Sequence, residues 1–311
     1  MSLTSDLTTI KDKLKSTQTI LGCTVKNKGV EEASTTNSIN TSVEDVKKIV
    51  WKCPSTGIML NRGLTSFDAS ILDTSNVTNM ESMFISCNKI TTLDLSTFDT
   101  SNVTTMKRMF QSCEKLTSLD VSSFDTSNVT TMEEMFSYCT SLTSLDVSNF
   151  DTSNVTNFVA MFGYCYGLTE INGLENIKLS KGNPAYMFTN CKGLNNLDGV
   201  KNWDISNCVS LDYTFEKCSG LTSLDLSNWN TSNIIEMRGV FKNCSKLNEL
   251  NVTGWDISKV TANVYFFSGC SALSKLILGE VTQTQYDWWL ARLTDATIQN
   301  KVTIEYTLKT E

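Results

Sequence analysis

From Leu116 the apolar positions run Leu116, Leu119 and Val121, and the last two alternate with polar residues as in a half-buried strand. Phe124 closes that run. Asp125-Thr126-Ser127-Asn128 follows, residues whose side chains bond nearby backbone and favour turns and helix starts. Val129, Met132, Met135, Phe136 and Cys139 then recur at steps of three and four, a spacing that predicts one face of a short helix. The pattern reads strand, turn, short helix, return.

The same unit stands at Ile90 to Cys113 and at Leu142 to Cys165. Its closing cysteines fall at Cys87, Cys113, Cys139, Cys165, Cys191, Cys218, Cys244 and Cys270, in steps of 26 residues with a single step of 27. Strand starts at Leu64, Ile90, Leu116, Leu142, Leu168, Leu194, Leu221, Leu247 and Leu273 make nine coils. One coil cannot bury both of its apolar faces alone, so neighbours must stack and share a core. The expected fold is a right-handed α/β solenoid with one short strand and one short helix per coil. It divides into an N-terminal helical cap or attachment segment at 1–60, the coils at 61–279 and an α/β C-terminal cap at 280–311.

The recurring L-x-x-L-D-[LV]-S, F-D-T-S-N-V-T and M-F-x-x-C segments resemble the BspA-like leucine-rich-repeat family, surface proteins of bacteria and some protists. The resemblance covers about Gly63 to Gly279. It implies a leucine-rich-repeat fold, an extracellular or cell-surface location and a role in adhesion or host interaction.

The flanks are less regular. Leu7, Ile10 and Leu14 predict an amphipathic helix, and Ser42 with Asp45 starts a second one carrying Val43, Val46, Ile49 and Val50. Covering an open end of the stack is one role for this segment. The other follows from a similarity to the N-terminal assembly segments of phage tail-fibre proteins, which would make the chain part of a virion. Met1 to Leu21 interleaves acids and lysines and has no apolar stretch of the signal-peptide kind. Export, as the resemblance implies, would then need a leader removed from this chain or a different route. Tyr286 to Leu293 predicts a helix and Val302, Ile304 and Tyr306 a strand, with Trp288 and Trp289 closing the last coil.

The fifth coil breaks the pattern with Gly173, Gly182 and Pro184, and NIKLSKG replaces FDTSNVT. Pro184 shortens or delays any helix there. The phenylalanine position becomes Asn176, then Trp203, Trp229 and Trp255. A drifted repeat is the plain reading and a local bend or site the sharper one.

Composition narrows the chemistry. The chain has 311 residues, is 40% hydrophobic and carries a net charge of −7, which disfavours a grip on nucleic acid. No apolar run reaches the length of a membrane span. There is no histidine, phosphate-binding loop, dinucleotide fingerprint or nucleophile elbow, so the expectation is a non-enzymatic protein without cofactor or metal site. Cysteines in equivalent positions point the same way and are not placed to bridge, and no closely spaced pair suits zinc. A ladder of buried thiols is expected, with Cys23, Cys53 and Cys208 off it.

Two columns should face solvent from the strands. One reads Asp68, Asp94, Asp120, Asp146, Asn172, Asp198, Asp225, Asn251, and its neighbour carries Glu170 and Glu249 among small hydroxyl residues. Stacked carboxylates repel. The acids Asp68, Asp94, Asp120, Asp146, Glu170, Asp198, Asp225 and Glu249 form either a concave stripe that binds a partner or structural groups that bond backbone between coils. Variation from Glu170 onward gives the C-terminal half the better claim to selectivity. Tyr138, Tyr164, Tyr166 and Tyr186 are candidates for stacking on sugars or anchoring an interface, against simple edge packing. Asn-Val-Thr at Asn76, Asn102, Asn128, Asn154 and Asn251 matches a glycosylation sequon, and turn chemistry explains its recurrence more simply. The expected function is recognition or adhesion, binding a protein or glycan on a cell surface through the concave sheet. The alternative is a structural or receptor-binding part of an assembled particle such as a phage tail appendage. Oligomeric state stays open.

Overall fold

The computed structural model describes residues 64–296 and 298–309, together with two short strands before them, β1 (Thr24–Val25) and β2 (Trp51–Lys52). The two helices expected before residue 60, with Cys23 and Cys53, lie outside the described residues. β1 pairs antiparallel with β2, and β2 pairs in parallel with β3 (Leu72–Asp73).

From there the chain is a stack of coils joined in parallel. β4 (Ser144–Asp146) pairs with β5 (Glu170–Asn172), opposing Ser144 to Glu170 and Leu145 to Ile171. β6 (Ser223–Asp225), β7 (Glu249–Asn251), β8 (Lys275–Val281) and β9 (Thr303–Leu308) form a second parallel sheet in that order. The central residue of each three-residue strand is buried.

The second half of each coil is not a helix. Among the described residues the one α-helix is α1 (Gln283–Asp295), beyond the last coil. Segments such as Met132 to Cys139 are chains of tight turns instead, closed by Met135 N–H to Met132 O, Ser137 N–H to Glu134 O and Cys139 N–H to Phe136 O, each at 3.1 Å. Between those turns alternate amides leave the coil. Met132, Glu134, Phe136 and Tyr138 donate to Asn157, Val159, Met161 and Gly163 of the next coil at 2.9–3.0 Å. Glu134 and Tyr138 take left-handed backbone, as do twelve further non-glycine residues at matching positions from Ser82 to Tyr265. Each such residue costs about 1 kcal/mol, which the rungs between coils offset.

Spacing explains why the turns win. Phe110, Phe136 and Phe162 stack nearly parallel at 5.7 and 5.8 Å between ring centres, and the ladder continues through Phe188, Phe215 and Phe241 at 5.7–5.8 Å. Packed helices need about 8–10 Å between axes. A helix on every coil would not fit at this pitch, whereas stacked turns hydrogen-bond across it.

Side chains tie the coils as well. Buried Thr100 donates to Asp125 O at 2.9 Å and accepts from Asp125 N at 2.8 Å, standing in for a strand rung. Asn102, Asn128 and Asn154 each donate their amide to a carbonyl of the preceding coil at 2.8 Å. Those sequon asparagines are structural clamps. The ladder cysteines from Cys87 to Cys270 are buried and form no disulfide, and Cys208 is buried too, donating to Gly182 O at 3.1 Å.

The irregular coil keeps the stack but loses a rung. Phe158 N donates to Asn183 O and Leu211 N to Glu236 O, yet Pro184, in the column between them, has no N–H to give. On the strand side, 3-10 turns at Leu174–Asn176 and Asp198–Asn202 separate the two sheets. The tryptophans that follow keep the core closed. Trp203, Trp229 and Trp255 stack at 6.3 and 6.1 Å, and their indole N–H groups donate to Leu174 O, Val200 O and Leu226 O. Trp289 of α1 ends this ladder against Trp255 and Phe266. Thr282 and Gln285 start α1 with a reciprocal capping box.

Candidate functional site

The strand side is built from the residue between two inward apolar positions. Asp94, Asp120 and Asp146 are exposed there and line one shallow hollow of about 560 Å³ together with Asn172. Glu170 and Asp198 share a neighbouring hollow of about 470 Å³. Asp68 lies apart, capping the 3-10 turn Ala69–Ile71. Asp225 is ion-paired with Lys201 at 2.6 Å, and Glu249 with Lys275 at 3.6 Å. The acids thus fall into an exposed N-terminal trio, an exposed pair at Glu170 and Asp198, and two ion-paired members at Asp225 and Glu249.

The trio is also structural, but within a coil and not between coils. Asp94, Asp120 and Asp146 accept from the backbone N–H of Ser96, Ser122 and Ser148 at 2.9–3.0 Å, turning the chain out of the strand. Bonds from these serines, side chain first, hold all three carboxyls below their ordinary pKa, against slight opposition from burial. Asp94 raises Asp120 a little, and Asp120 raises Asp146. Repulsion down the column is therefore present but weaker than the turn bonds. Among the described residues no three acids or cysteines are grouped so as to hold a metal ion.

The turn side carries the tyrosines. Tyr138 and Tyr164 occupy the same left-handed position on neighbouring coils and stack at 4.3 Å with ring planes 5° apart. Tyr166 meets Tyr164 edge-on at 6.3 Å, and Lys192 sits 5.0 Å above the Tyr166 ring. Burial, then the neighbouring Tyr164, raises the Tyr138 phenol pKa, so it stays a neutral donor. Tyr186 stacks instead on Tyr213 at 5.0 Å.

Tyr213 and Tyr265 escape a reading that gathers tyrosines by their nearness in sequence. The signal that finds them is register: Tyr186, Tyr213 and Tyr265 share the left-handed column of Arg108 and Glu134. Also missed is the charged group beside them. Asp212 and Glu216 are buried, with Arg238 bonded to Asp212 and Lys242 3.1 Å from Glu216.

A family model described as "Mycoplasma protein of unknown function, DUF285" matches residues 59–177 and 182–289. The chain belongs to that family. The interruption of the DUF285 match falls just before Gly182 and Pro184, where the coil is irregular. No curated protein matches the chain. Among solved structures, a leucine-rich repeat protein from Bacteroides ovatus is similar at 20% identity and a TM-score of 0.37, over 75% of this chain and 64% of that one. The functional domain of InlJ from Listeria monocytogenes, described as including a cysteine ladder, is similar at 16% identity and a TM-score of 0.21, over 78% and 56%. The matched region thus spans less than two thirds of either solved chain.

Proposed function

We propose that this DUF285 protein is a non-enzymatic recognition module of the BspA-like kind, acting in adhesion at a cell surface. In this reading residues 61–279 are a right-handed leucine-rich-repeat solenoid, with residues 1–60 and 280–311 covering its ends. The observation that carries it is the tyrosine strip Tyr138–Tyr164–Tyr166, exposed at Tyr138 and Tyr166 and half-buried at Tyr164, held in pre-stacked order by hydrogen-bonded coils. Exposed aromatic rings fixed on a rigid surface bind a partner with little loss of side-chain freedom. The acidic trio Asp94, Asp120 and Asp146 offers a second contact face, suited to a basic partner. Among the described residues no helix is long and apolar enough to cross a membrane.

The test is binding of the fluorescently labelled chain to cells and to an immobilised panel of surface proteins and glycans. Replacing Tyr138, Tyr164 and Tyr166 together by alanine should weaken binding at least about tenfold while the melting transition is retained. Asp94→Lys, Asp120→Lys and Asp146→Lys together should abolish capture of basic partners. Full binding by both folded variants would remove both faces from the function.

A further inference from the structure

Column by column, the turn side changes character toward its C-terminal end. The left-handed position holds Ser82, Arg108, Glu134 and Ala160 in four successive coils, then Tyr186, Tyr213, Gly239 and Tyr265. A large ring at left-handed backbone has no local advantage, since glycine or asparagine serves better there. The rings do not fill the core either: Tyr186 is 37% exposed and Tyr265 60%.

Gly239 is the informative residue. It stands in the coil between Tyr213 and Tyr265, and a Cβ built on it would lie 2.5 Å from Tyr213 Cε1. Its missing side chain lets the Tyr213 ring lean over the coil. Lys242 of the same coil places Nζ 5.6 Å from the Tyr213 ring centre and 5.5 Å from that of Tyr265. The Lys242 ammonium therefore lies over two rings, of which Tyr213 rests against Gly239 and the outer Tyr265 ring is open to solvent.

The charges around this slot are already matched. Lys242 and Lys217 lie 3.1 and 3.6 Å from Glu216, and Arg238 reaches both Asp212 and Glu236. Thr189 Oγ1 donates to Glu216 Oε2 at 3.2 Å, further fixing that carboxylate. A site of this kind offers ring faces for C–H groups and fixed donors and acceptors for hydroxyls, with no unmatched charge to attract an ionic group.

We infer that Tyr213, Gly239, Lys242 and Tyr265 form a carbohydrate-binding slot for an uncharged glycan, with Arg238 and Glu236 at its edge. This rests on the recognition reading above but names a different face and a ligand class. Three cations, Lys217, Arg238 and Lys242, are balanced by three carboxylates, Asp212, Glu216 and Glu236, which disfavours a sialylated or sulfated glycan as the preferred ligand.

The test is titration calorimetry of the full chain with neutral tetrasaccharides of glucose, galactose and N-acetylglucosamine, and with a sialylated tetrasaccharide. Tyr265→Ala, Gly239→Val and the remote control Tyr306→Ala accompany the unsubstituted chain, with melting curves for each. The expected result is that a neutral sugar binds, Tyr265→Ala loses about tenfold or more at an unchanged melting temperature, and Tyr306→Ala binds normally. Gly239→Val, which displaces Tyr213, should also lose binding. Three results overturn the inference: no neutral sugar binding at millimolar concentration, equal binding by folded Tyr265→Ala, or tighter binding of the sialylated sugar. If the chain still captures cells in any of those cases, the recognition reading stands and the glycan slot alone falls.

Discussion

The Cys113 thiol donates to the backbone carbonyl of Phe84, one coil earlier, at 3.1 Å. The same bond recurs from Cys139 to Phe110 and onward to Cys270 and Phe241. Each phenylalanine carbonyl also accepts the amide that closes its own turn, such as Cys87 N–H to Phe84 O. The repeated cysteine is thus a small apolar plug with one directional bond, and neither a crosslink nor a ligand.

Burial pushes the Cys113 and Cys165 thiols up to about 12, and Cys139 and Cys191 are raised as well. An unfolded thiol titrates near about 8.5. The folded chain therefore keeps protons that the unfolded chain releases, so this contribution is intact below about pH 8.5 and is lost as pH rises toward 12. Urea midpoints at pH 7, 9 and 10.5 should fall steadily, and less steeply in Cys165→Ala. Iodoacetamide at pH 8 should leave the buried ladder thiols unmodified until urea unfolds the chain.

The aspartates act at the other end of the scale. Bonds from Ser96, Ser122 and Ser148 lower Asp94, Asp120 and Asp146. Their contribution is present above the unfolded value of about 3.9 and disappears as pH falls through the folded values. Melting temperature should drop between pH 5 and pH 2.5. Combining Ser96→Ala, Ser122→Ala and Ser148→Ala should flatten that acid limb without altering the alkaline one.

Phe136 sits between Phe110 and Phe162 with no exposed surface. Phe136→Ala should destabilise by about 3–5 kcal/mol, read by urea unfolding. Because each coil touches only its neighbours, hydrogen exchange should quicken mainly in the coils from Ile90 to Cys165.

Thr100→Val preserves shape and removes the hydroxyl that bridges Asp125 N and O. The loss should be about 1–3 kcal/mol. Thr100→Ser, which keeps the bridge, should recover most of it. Equal stability of the Val and Ser variants would mean that water replaces the bridge.

Much of this was legible in the order of residues, because period and polarity depend on stacking alone. The inward set Val129, Met132, Met135, Phe136 and Cys139 is buried as its spacing predicts. So is the cysteine ladder, and the tyrosine group is recognisable as far as Tyr166. The helix was not legible correctly. Turns with left-handed residues at Glu134 and Tyr138 bury the same positions as a helix would, so steps of three and four do not tell the two apart. Tyr213 and Tyr265 were hidden for a related reason: only the stack aligns residues 52 positions apart.

Residue order alone sets the 26-residue period, the residues facing inward, the buried thiol ladder and the turn at Asp125-Thr126-Ser127, where Asp125 accepts from Ser127 N–H at 2.9 Å. Packing between coils sets what backbone the second half of each coil adopts. A coil alone would satisfy its amides within a helix. Phenylalanines stacked 5.7 Å apart leave no room for one, and alternate amides instead find their acceptors in the next coil. The same close stacking brings Tyr213, Lys242 and Tyr265 of three successive coils into one slot.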